Sequence, residues 1–584
     1  MAFTPGAVSG SAGPGSRVSV SAGALLGRLE RARADYGTDA ARRKLVFLRA
    51  LARAPLARAR DVSRLHEVLC FLRAYPDDAR VLAEVERMLG AFERRADVLR
   101  HRDALADSGI AGTEIRFRFF EPTARWIAGR WPGHIRLDWD QFENAGRLEV
   151  FLPLLALEAE IPGLDEFDFG PRAWIERMRG RRDSDAAFLI RRFAALRLDP
   201  AARERLYDEL DPPVVLSPGP DTPARTRARY DRAGVTFQAG PLSRERPRLA
   251  EDVERPPLAI RAVNAREGAR LIDLAREAMV TRSRDLDAFA WADPDDVRLV
   301  DCGGGLQFAC MGVVPERRLL LDSVYGYLTL RNGVPIGYVL SSALFGSVEV
   351  AYNVFETYRG AEAGPVYGRV LAMLRRLFHA DAFTVYPYQL GDDNDEALAS
   401  GAWWFYQKLG FRPRDPGALR LMRSELRRMR RRPSHRSSIA TLRRLAAHNV
   451  YWHLGAPRDD VMGLVQLARV GLHVTRSIAL RFGADRERAA RVCAREAART
   501  LDAGPDATWS PGERLAWLRW APLVTSLSGV ERWPAAQKRA FAAVVRAKGG
   551  RRESEFCVRF DRHPLLRRAI LRLAGDRAIE EARR

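Results

Sequence analysis

The chain has 584 residues, with 96 Lys and Arg against 74 Asp and Glu, a formal net charge of +22. Hydrophobic residues make up 47% and charged residues 29%, the proportions of folded protein, and the length gives material for about three or four domains. No run of about 18 apolar residues occurs, so no membrane span is expected; the five scattered cysteines form no CxxC pair, which argues against a disulfide framework or structural zinc and for a reducing, cytoplasmic setting.

The basic excess invites a nucleic-acid partner. However, Lys44, Lys408, Lys538 and Lys548 are the only lysines. Arginine spread evenly through a chain rich in Ala, Gly and Leu has the look of GC-rich coding rather than of a binding stripe. Nucleic acid is therefore not expected as a partner.

Residues 1–24 are small and polar, with no basic segment ahead of an apolar core, and are expected as a disordered tail rather than a signal peptide. From 25 to 210 the spacing predicts a mostly helical domain. Leu65, Val68, Leu69 and Leu72 fall at i, i+3, i+4 and i+7, and Pro76 with Asp77 ends the run. Val85, Met88, Leu89 and Phe92 repeat the pattern. Ile115, Phe117 and Phe119 alternate as in a half-buried strand. Residues 211–256, rich in proline and arginine and without periodicity, are expected as a linker or poorly ordered arm.

Residues 257–425 read as an α/β domain. A short strand, LAIRA, leads to Asn264 as helix cap and then to an amphipathic helix. Strand-like segments follow (VRLV, LQFACMGV, LLLDSVYGYLTL, VPIGYVLSS), with Asn332-Gly333 as a hairpin turn between the last two. Next come the strand GSVEVAYNVF, the loop RGAEAGP, a helix to about 379, the strand AFTVYPYQL and a helix ending in FYQKLGF. Residues 426–584 return to helix, opening on RRMRRRPSHR, a solvated helix end and connector.

Three stretches of the central domain carry a pattern. LAIRAVNAREGARLIDLAREA opens it. VFETYRGAEAGPVYGRVL sets Val354, Tyr358, Arg359, Gly360 and Gly364 around a loop that begins a helix. ALASGAWWFYQKLGF sets Ala402, Tyr406, Gly410 and Phe411 along the last one. In order and spacing these resemble the GCN5-related N-acetyltransferases, over somewhat under a third of the chain. The resemblance implies a mixed sheet with helices, flanked by mostly helical N- and C-terminal regions. It implies an acyl-CoA-dependent N-acyltransferase, with acetyl-CoA or another acyl-CoA as donor, an unidentified amine as acceptor, and no metal. Val354, Arg359, Gly360, Ala361, Ala363 and Gly364 would hold the cofactor. A helix N-terminus offers unpaired N–H groups and the positive dipole end to a pyrophosphate, and glycine lets the backbone come close.

The resemblance further implies that Tyr406 protonates the departing thiolate; a phenol of pKa ~10 holds its proton at neutral pH. A carboxylate would relieve the amine of its proton, with Glu349 the first candidate and Glu356 a second. Glu349 shares a strand face with Ala351 and Asn353, opposite Val350, Tyr352 and Val354. In the family two neighbouring strands splay to admit the pantetheine arm, and Pro387 suits such a splay because it donates no N–H.

Two positions depart from the pattern. Glu362 stands where the first loop glycine is required, and Ala399 where the last helix begins with asparagine; Asn394 lies five residues earlier. A carboxylate ~4 Å from a phosphate charge costs roughly 1 kcal/mol in water-like surroundings and roughly 4 at an effective dielectric of ~20. Glu362 and Pro365 would equally suit a plain helix start. The alternative function is thus a non-catalytic scaffold of the same derivation, meeting a protein partner through its helical flanks. A rival motif, VRLVDCGGGLQF, is similar to a methyltransferase's strand and glycine turn, but Gln307 replaces the last glycine and strand-like residues follow. His448 and His453, five apart, do not share a helix face as two ligands would.

Overall fold

The structure, a computed structural model, describes residues 21–243, 245–360, 362–503 and 508–576. Of the expected tail, residues 1–20 lie outside the described residues; Ser21 caps a helix that begins at Ala22, earlier than expected. Helix Thr38–Arg53 is followed by Ala59–Ala74 and Ala79–Gly90, which carry the two predicted stripes, with Leu65, Val68, Leu69 and Leu72 all buried. Asp78 accepts from the N–H groups of Arg80 and Val81, which fixes the start of the helix after Pro76.

A small antiparallel sheet follows, made of β1 (Ile115–Phe117), β2 (Ile135–Leu137) and β3 (Val214–Leu216), with β3 in the middle. The central strand therefore comes from the segment expected as a linker. That expectation is corrected at this strand and on both sides of a stretch, 231–243, that forms no helix or strand: Ala228, Tyr230, Leu249 and Val253 are buried as well. The segment lacks periodicity because its backbone is satisfied from outside. Arg73 donates to the carbonyls of Arg225 and Thr226 at 3.0 and 2.7 Å, and Tyr230 N–H donates to Gly333 O at 2.8 Å.

The large sheet is mixed. Its strands are β4 (Ala259–Ala262), β5 (Ala292–Gly303), β6 (Leu306–Val313), β7 (Ser323–Arg331), β8 (Val334–Leu344), β9 (Ser347–Val354), β10 (Ala382–Val385), β11 (Arg412–Pro413) and β12 (Val450–His453). From β4 to β9 neighbours are antiparallel; β10 runs parallel to β9, reached through the helix Ala363–Phe378, and β12 lies between β10 and β11. The sheet thus continues past residue 425, where the sequence suggested a domain end. β5 and β6 form a hairpin around Gly303–Gly305, all three at positive φ, so the VRLVDCGGGLQF stretch makes strands and leads to no helix.

Side chains alternate between two cores. Leu299, Ala309, Met311, Leu328 and Leu330 face the helix Ala265–Val280 and the N-terminal helices. Val300, Phe308, Cys310, Val339, Val348 and Val350 face the helix Ala363–Phe378 and the C-terminal helices between Leu467 and Gly575. Each fully buried Val, Leu, Met or Phe among them contributes about 1.5–3 kcal/mol. The sheet is therefore the middle of three layers, and the flanks are its covers.

The predicted Asn332-Gly333 turn joins β7 and β8, with φ of 50° and 78°. Its tip is buried. Asn332 donates to Ala74 O and Thr236 O at 2.9 and 3.0 Å and accepts from Thr236 N–H at 2.8 Å. We expect Asn332→Ala to destabilise the protein by about 2–4 kcal/mol, since it strands these partners away from water. A fall in the urea midpoint measures it; an unchanged midpoint contradicts the assignment.

Candidate functional site

β9 and β10 pair only at Ser347, Val348 and Glu349. Beyond Glu349, β9 continues to Val354 with β8 on one side and no strand on the other. β10 ends at Val385, and Pro387 takes the first position of the helix Pro387–Leu390. Pro387 thus lies after the strand rather than within a ladder. It turns the chain away and leaves the end of β9 exposed to a gap.

That gap is a cavity of about 820 Å³. Ala351, Tyr352, Asn353 and Val354 form one wall, and Arg359, Gly360 and Ala363 form the next. Asn394, Ala402, Phe405 and Tyr406 come from the helices Asp395–Ser400 and Ala402–Leu409, while Phe117, Arg284, Asp285 and Tyr338 close the remaining side. The helix Ala363–Phe378 opens onto this space with no side chain capping its first turn. Its N-terminal dipole end is available to an anion.

The sequence-predicted residues separate. Val354, Arg359, Gly360, Ala363 and Tyr406 line the cavity. Ala361 lies outside the described residues. Gly364 does not line it: a Cβ there would come within 3.1 Å of Pro247 Cδ, because the arm before Leu249 runs over this turn of helix. Gly360, at φ 79°, has open space where a Cβ would be, so its glycine answers to backbone conformation. Arg359 reaches back to Val354 O at 3.3 Å and pairs with Glu396, another lining residue.

Tyr406 packs edge-on against Tyr367, Phe405 and Phe411, not against the neighbouring tryptophans. Burial pushes its pKa above the usual phenol range. Gly410, at φ 109°, ends the helix, and Phe411 N–H returns to Tyr406 O at 3.1 Å. Asn394, five residues before Ala399, caps the helix Asp395–Ser400 by accepting from Ala397 N–H. Gly401, at φ 68°, then breaks the run, so the last helix comes in two pieces and its asparagine sits at the start of the first.

Glu349 is half-buried where β9 and β10 still pair, outside the cavity lining. Burial and then the charge of Asp322 raise its pKa. Glu356 is exposed and is not among the lining residues. Two carboxylates do line the cavity: Glu396, held by Arg359, and one the sequence reading missed, Asp285. It accepts from Phe120 N–H, Thr123 Oγ1 and Leu286 N–H at 2.8–3.0 Å, yet burial holds its pKa up to about 6. No motif marks it in the sequence: it follows the helix Ala265–Val280 in a Ser-Arg-Asp-Leu run without the usual glycine.

Glu362 is turned inward. Its carboxylate meets the guanidinium of Arg331 on β7 at 3.0 Å, and both side chains are largely buried. Arg331 in turn stacks over Tyr75, 5.0 Å from the ring centre. The charge is therefore neutralised from behind the loop. Arg331→Met, which leaves Glu362 buried and unpaired, should cost about 3–5 kcal/mol, and adding Glu362→Gln should restore most of it. Chemical denaturation of the two variants checks this; equal losses in both contradict the pairing.

No protein family, curated protein or solved structure matches the chain. No described helix is long and apolar enough to cross a membrane, and the described residues hold no cluster of three metal-ligating side chains.

Proposed function

We propose that the protein is an acyl-CoA-dependent N-acyltransferase of GCN5-related type. One observation carries this: the unpaired end of β9, an uncapped helix N-terminus and Tyr406 all border a single cavity between parted parallel strands. A pantetheine arm can complete the open edge of β9 with its amides, while the pyrophosphate meets the N–H groups at the start of Ala363–Phe378. Gly410 ends the last helix as the resemblance requires, while Asn394 caps a separate short helix before it and Ala399 stays at the asparagine position.

In this site the amine nitrogen attacks the thioester carbonyl carbon, and the C–S bond breaks as the C–N bond forms. Tyr406 gives its proton to the leaving thiolate sulfur. Asp285 takes the proton the amine loses, a part expected of Glu349 from the sequence. The inward pairing of Glu362 removes most of the repulsion its charge would exert on a phosphate.

Two contacts favour the non-catalytic scaffold instead: Arg359 is engaged by Glu396, and Gly364 lies under Pro247. Calorimetric titration with acetyl-CoA separates the alternatives. We expect saturable binding, and its absence at millimolar ligand overturns the acetyl-CoA assignment.

Tyr406→Phe should lower kcat about 100-fold or more while leaving acetyl-CoA affinity unchanged. Asp285 must be ionised to accept a proton, so kcat/KM should climb as pH rises through about 6 and level above it. Asp285→Asn should abolish that limb, and a limb that survives the change assigns the base elsewhere.

A further inference from the structure

The acceptor side of the cavity is built by an unusual helix end. The helix Ala265–Val280 closes with Arg284 N–H returning to Met279 O at 3.2 Å and Ser283 N–H to Val280 O at 3.2 Å. Ser283 holds φ 48° at the position where such ends prefer glycine. The left-handed residue sends the next two, Arg284 and Asp285, to the same cavity.

Four charged residues line that space: Arg284, Asp285, Arg359 and Glu396. Arg359 and Glu396 pair with each other, and Asp285 accepts three hydrogen bonds. Arg284 is different. It gives one N–H to Tyr338 Oη at 2.8 Å, and no carboxylate pairs with it among the described residues. A guanidinium carries five donors in a planar fork, matched to a carboxylate or phosphate. Beside Phe117, Leu286 and Leu340, which line the same cavity, that unspent charge favours an anionic partner.

The neighbouring carboxylate narrows the choice. A phosphate dianion held by Arg284 would be repelled by Asp285. A zwitterion, with one carboxylate and one amine a carbon apart, offers each side chain its complement.

We propose, resting on the acyltransferase assignment, that the acceptor is an amino acid or amino-acid-like compound whose carboxylate is bound by Arg284 while its amine lies at Asp285. The specificity of the enzyme would then sit in two consecutive residues that no motif of the sequence marks.

The test is calorimetric titration of the full chain with free L-amino acids and with the matching amino-acid amides. At least one free acid should bind ten-fold or more tightly than its amide, and Arg284→Gln should erase that preference, as loss of a charge-assisted contact costs about 10- to 100-fold. Tyr338→Phe, which keeps the guanidinium over the ring and removes only the hydrogen bond to the hydroxyl, should retain the preference; it also serves if Arg284→Gln does not fold. Amides that bind as well as acids, a preference that survives Arg284→Gln, or no binding by any member of the set overturns the proposal. Acetyl-CoA is titrated separately. If it fails to bind while the acid-over-amide preference holds, acyl transfer is lost and Arg284 stands as a carboxylate site. If it binds while the preference is absent, the reverse follows.

Discussion

The parting of β9 from β10 is the constraint on which the site depends. A parallel pair that stayed zipped would satisfy the backbone of Val350–Val354 and leave no room for a ligand. Pro387 fixes the parting from one side, since it starts a helix one residue after Tyr386 and cannot extend a ladder. β12 fixes it from the other, because its antiparallel pairing along all of β10, from Ala382 to Val385, holds that strand in place. Exposed backbone at the centre of a large sheet is unfavourable, and it persists because the layers on both faces hold the two strands where they are.

Those layers explain why a small central domain is embedded in 584 residues. Neither face of the sheet meets water over most of its area; one is buried by the N-terminal helices and the other by the C-terminal set. The flanks also reach the site itself. Phe117 of the small sheet and Asp285, anchored to Phe120 and Thr123, close the cavity from the N-terminal side. The cavity is thus shared between regions that the sequence presents as separate.

Much of the local structure was legible because it rests on short-range chemistry. The stripe through Leu65 and Leu72, the Asn264 cap, the Asn332-Gly333 turn and the Gly410 helix end all depend on neighbours within a few residues. The site was legible only in part, for the same reason. Tyr406 and Gly360 sit on motifs, whereas Gly364 is claimed by Pro247, more than a hundred positions away. Glu362 looked like an obstacle because its partner, Arg331, lies 31 residues earlier at the end of a strand. Asp285 and Arg284 follow a helix end formed with serine in place of glycine, so no usual signal marked them. The segment 211–256 misled because arginines there pair with carboxylates of the N-terminal helices, Arg225 with Glu67 and Arg229 with Glu86.

The buried hairpin tip has a consequence for the order of assembly. Asn332 donates to the carbonyl of Ala74, 258 residues earlier. During synthesis the chain emerges from its N-terminus, so the helices around Ala74 form and wait with that carbonyl unmet. They are finished only when the turn arrives, and the same event aligns β7 and β8 for the strands that follow. A mutation near residue 74 would then be felt first as slow maturation of the sheet, long before any ligand could report it.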